Sequence, residues 1–71
     1  MTDKLYEKAA YASWVSDECA TLFGAARRLA AGTGSIEEVE GIMTSTFCNC
    51  DEYYDVVDYA NAVISSVKKE A

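Results

Sequence analysis

The chain has 71 residues, 51% of them hydrophobic, with three cysteines, no histidine, no proline and a formal net charge of −6. That length allows one domain with a marginal core, burying about 60% of the surface its unfolded form exposes, and the apolar content is too high for intrinsic disorder. Three cysteines cannot all pair within one chain, and the missing histidine removes the commonest zinc ligand and the usual neutral-pH proton shuttle. Oligomerisation and regular helix packing are the means of stabilisation left to so small a domain.

Alanine supplies a large share of the apolar content and no proline interrupts any segment. Alanine is the best helix former, and strand-type alternation is not evident, so an all-α domain over residues 1–71 is expected. Asp3, Lys4, Glu7 and Lys8 rule out the uncharged stretch of a signal peptide. No run approaches the roughly 20 apolar residues that cross a bilayer. With an odd cysteine count, a reducing cytoplasm is the expected compartment.

Thr2 is the N-cap candidate for a first helix, with Asp3 beside its positive end. Helical patterning then runs to about Ala31. Val15, Cys19, Leu22, Ala26 and Leu29 recur at spacings of four and three, which places them on one face, and Phe23 and Ala30 widen that stripe. Lys4 and Lys8 fall on the same face, so towards the N-terminus the stripe fails or rotates. A break near Ser13 to Ser16 is one solution, with Ser16-Asp17-Glu18 as a fresh helix start. Because no glycine or proline intervenes, one long and bent helix of roughly 40 Å is the favoured expectation.

Gly32-Thr33-Gly34 is the clearest break, since glycine past a helix end accepts the left-handed conformation. Ser35-Ile36-Glu37-Glu38 follows as a capping box, in which Glu38 can reach back to the Ser35 amide. Ile36, Val39, Ile42, Met43 and Phe47 form the apolar face of a short second helix ending near Phe47 or Cys48. Asn49 to Glu52 can form another capping box. The third helix is the most regular, with Tyr53, Val57, Ala60, Ile64 and Val67 in its stripe and Val56 and Val63 broadening it. Lys68 and Lys69 suit its negative end. A small antiparallel three-helix arrangement, able to dimerise, is therefore expected.

Between Arg28 and Lys68 every charge is negative. Asp51, Asp55 and Asp58 lie on one helical face, and Glu37 and Glu40 are neighbours on another. Like charges so placed cost a few tenths of a kcal/mol per pair, roughly, which suggests either a patch for a basic partner or a solvated face of an acidic protein. Direct nucleic-acid binding is disfavoured, because phosphate contacts need a basic surface. Tyr54 and Tyr59 beside these acids add an aromatic component, since tyrosine and tryptophan bury much area at small entropic cost. Trp14 and Tyr11 offer a second, more apolar surface; their plainer role is to cap a thin core or fill a homodimer contact.

Cys48-Asn49-Cys50 is a C-x-C pair without the second pair a tetrahedral zinc site needs. Cys50 at a helix start has the setting of a reactive thiol, whereas Cys19 reads as a small core residue. No phosphate-binding loop, histidine-assisted nucleophile or EF-hand pattern is present. No catalytic residue, metal or cofactor is expected.

In size, charge and compactness the profile is similar to that of the small acidic inhibitors that bacteriophages encode, including anti-CRISPR proteins and DNA mimics. That resemblance implies a non-enzymatic protein that occupies a basic, nucleic-acid-binding surface of a larger protein. Its candidate contacts are Glu37, Glu40, Asp51, Asp55, Asp58, Tyr54 and Tyr59. The alternative is a helical adaptor or self-assembling module acting through Trp14, Tyr11 and the first helix.

Overall fold

A computed structural model describes residues 3–45 and 50–70. These form four helices and no strand: α1 Asp3–Ala12, α2 Asp17–Ala30, α3 Ile36–Ser45 and α4 Glu52–Glu70. The all-helical class stands, but the expected first helix is two helices. The greatest extent of the molecule is 33 Å, too short for the single 40 Å rod.

The break is made by serines rather than by glycine or proline. The backbone amide of Ser13 still donates to Ala9, but those of Trp14 and Val15 donate three residues back, to Tyr11 and Ala12. The Ser13 hydroxyl donates to the Ala10 carbonyl at 2.6 Å. Ser16 then turns extended (φ −152°, ψ 157°) and its side chain accepts the Cys19 amide. Asp17 and Glu18 occupy the first turn of α2, where negative charge opposes the positive helix end. Folding back at this corner lets Ala9 and Ala12 bury fully and brings Tyr6 onto the rings of Phe23 and Tyr59. A continuous helix would have left α1 projecting without a partner.

α2 ends as its sequence suggests. Gly32 has φ +83°, its amide donates to Leu29, and that of Thr33 donates to Arg28. These are the paired bonds of a Schellman ending. Gly34 is needed for a different reason: a Cβ there would stand 2.9 Å from the backbone nitrogen of Leu29. The Ser35 hydroxyl accepts the Glu38 amide as a helix start requires. The other half of the expected box is replaced, because the Glu38 carboxylate accepts from Arg28 at 3.1 Å. The Asn49 capping box and the Phe47 end of the second helical stretch lie outside the described residues.

α4 is the organising element. It packs extensively on α1 and on α2, whereas α3 leans mainly on α2 and touches α4 lightly. The buried stripe of α4 comprises Tyr53, Val56, Tyr59, Ala60, Val63 and Ile64, with Val57 and Val67 at its flank. It is thus rotated from the expected centre towards Val56 and Val63. Cys19, Leu22, Ala26 and Leu29 are buried as their spacing indicates, while Val15 and Ala30 are exposed. Alanines at positions 9, 12, 25, 26 and 60 are all fully buried. Small side chains let helix axes approach closely, which suits a body only 15 Å across its shortest dimension.

Candidate functional site

The sulfurs of Cys19 and Cys50 are 3.8 Å apart, so the start of α2 lies beside the start of α4. Trp14 and Val15 immediately precede the Ser16 cap of α2, and Tyr11 sits in the last turn of α1. One end of the molecule therefore carries Tyr11, Trp14, Asp17, Glu18, Asp51 and Tyr54. Its aromatic rings stand in solvent: Trp14 is 88% exposed, Tyr11 68% and Tyr54 66%. Asp17, Glu18, Glu52 and Asp55 occupy the first turns of two adjacent helices, where each carboxylate lowers the energy of a helix N-terminus.

From this end an acidic face continues along α4. Asp51, Tyr54 and Asp58 are exposed at spacings of three and four, and Asp55 is half-buried at the edge of that face. Glu37 and Glu40 are exposed too, but on α3. That helix begins at the far end of α2, where Gly34 meets Leu29 and Glu38 pairs with Arg28. The ten residues from Cys19 to Leu29 separate the two ends by about 15 Å. The five carboxylates are thus divided between two helices, Glu37 and Glu40 on α3 and Asp51, Asp55 and Asp58 at the start of or along α4.

Tyr59 corrects the sequence expectation most sharply. It is 3% exposed, and its ring lies 5.7 Å from Tyr6 and 5.6 Å from Phe23. With Tyr6 and Phe23 themselves 5.6 Å apart, the three rings join α1, α2 and α4. The Arg27 guanidinium stands 5.9 Å from the Tyr6 ring centre and covers Phe23 at the same distance. Burial, and next the neighbouring Tyr6, push the Tyr59 hydroxyl above the ordinary tyrosine pKa, with Arg27 opposing them. Tyr59 is a structural residue and cannot serve as a surface contact. The available signal was its place between Val56 and Val63, at helical spacings that belong to the buried stripe.

A shallow depression of about 300 Å³ lies over Gly24, Arg27, Arg28, Ala31 and Thr33. Its two arginines are engaged by rings and by Glu38, and it adjoins the negative end of α2, which disfavours an anion. Among the described residues no group of three or more histidine, cysteine or acidic side chains is placed to hold a metal ion, and no helix is long and apolar enough to cross a membrane.

No protein-family model matches the chain, and no curated protein or solved structure matches it significantly.

Proposed function

We propose that this protein is a small binding module that docks on a basic surface of a larger protein and inhibits it by occupying a surface used for nucleic acid. The carrying observation is Trp14, 88% exposed at an end that also bears Asp17, Glu18 and Asp51. A tryptophan held in water on a capped turn is an interface anchor, since its large ring gains most when desolvated. The adjoining acidic face of Asp51, Asp55 and Asp58, with Tyr54, supplies complementarity to a cationic partner. Glu37 and Glu40, exposed on α3, add further negative charge to the field that meets such a partner.

The contiguous exposure of Tyr11, Trp14 and Val15 supports a second reading, an apolar adaptor or self-associating module. Salt dependence separates the two. Affinity capture at about 50 mM and about 500 mM salt changes the reach of exposed charges several-fold. The inhibitor reading expects a nucleic-acid-binding partner retained at low salt, displaced by nucleic acid, and lost with D51K/D58K. A partner held equally at both salt concentrations by wild type and D51K/D58K would overturn it in favour of the adaptor.

A further inference from the structure

We propose that Cys19 and Cys50 are a redox pair that forms an intramolecular disulfide across the starts of α2 and α4. The inference is independent of the binding reading. Their sulfurs are already in contact at 3.8 Å, and a disulfide of about 2.05 Å needs a closure that side-chain rotation and a small shift of one segment supply. Cys19 is fixed, fully buried within the core cluster. Cys50 is half-buried, outside the helix proper and just ahead of α4. One partner is thus held in the core and the other lies outside a helix, half open to solvent.

The same difference in exposure orders the chemistry. The oxidant is a small-molecule disulfide such as oxidised glutathione. The Cys50 thiol loses its proton to solvent and its sulfur attacks one sulfur of that disulfide, releasing one glutathione thiolate. Cys19, shielded from solvent but touching Cys50, then loses its proton and attacks the Cys50 sulfur, forming the protein disulfide and expelling the second glutathione. Two protein thiols are oxidised, one small disulfide is reduced, and the two protons end on the released thiols. The bond links residues 31 apart in sequence, enclosing α2 and α3 in a covalent loop. It pins the two helix starts beside Trp14 and Asp51.

The full chain, equilibrated in reduced and oxidised glutathione and then alkylated, tests this by mass spectrometry and thermal unfolding. Wild type and Cys48→Ser are expected to form a monomeric cross-linked species with a melting temperature raised by roughly 10 °C or more, reversed by reductant. Cys50→Ser is expected to lack that species, and Cys19→Ala to stop at the glutathione adduct of Cys50. A cross-link in Cys50→Ser but not in Cys48→Ser would overturn the assignment. So would oxidation that yields only disulfide-linked dimers, or a cross-link that leaves the melting temperature unchanged.

Discussion

Tyr59 joins packing to proton chemistry at a single residue. Its phenol ionises at higher pH in the folded protein than in the unfolded chain, so above about pH 10 the unfolded state releases its proton first. The stabilisation is therefore fully present below about pH 10 and is lost as pH rises through the raised folded value. Urea unfolding between about pH 8 and 11 should show this alkaline loss in wild type and a smaller one in Tyr59→Phe. The two turn glycines differ in the same residue-level way. Gly32→Ala meets no neighbouring atom but must hold φ +83°, a strain of about 1 kcal/mol. Gly34→Ala must also push against the backbone of Leu29 and Arg28 at 2.9 and 3.1 Å. It should destabilise by about 1–3 kcal/mol, and a larger drop in melting temperature for Gly34→Ala than for Gly32→Ala is the check.

Helix by helix, stability rests on starts and stops as much as on burial. Ser16 is the residue that converts a helical stretch into α1 and α2, by accepting the Cys19 amide. Ser16→Ala removes that bond and should destabilise by about 1 kcal/mol, or roughly 4–8 °C of melting temperature in a domain this small. An unchanged melting temperature with unchanged helicity would show that tertiary packing alone holds the corner. α4 has a different basis: it gains from contact with both α1 and α2, and Lys68 and Lys69 complement its C-terminus. The Arg28–Glu38 pair tying α2 to α3 is solvent-exposed and should contribute well under 1 kcal/mol.

Taken as a whole molecule, the chain buries an alanine-rich core and leaves Trp14, Tyr11 and Tyr54 in solvent. Trp14→Ala removes a ring that is 88% exposed, so stability should change by no more than roughly 0.5 kcal/mol, about 2–4 °C of melting temperature. Partner affinity should fall by about 2 kcal/mol, some 30-fold, if the ring is an anchor. Equal affinity for wild type and Trp14→Ala would remove Trp14 from the interface. The charge-reversed D51K/D58K chain should likewise keep its helicity, because both side chains are in solvent, while its association becomes slower.

What the sequence by itself determined was local. Helical class, the Gly32–Gly34 stop, the Ser35 start and the regular apolar repeat of the last helix all depend on residues within one or two turns of each other. Even the Ser16 start was visible, though local signals alone did not weigh a cap against an uninterrupted helix. The tertiary structure decided the rest. It chose the break because only a folded-back α1 buries Ala9 and Ala12, and it rotated α4 so that Tyr59 went inside. It also set Cys19 against Cys50. Each of these depends on where a second helix lies, and residues distant in sequence meet only when the shared core fixes that position.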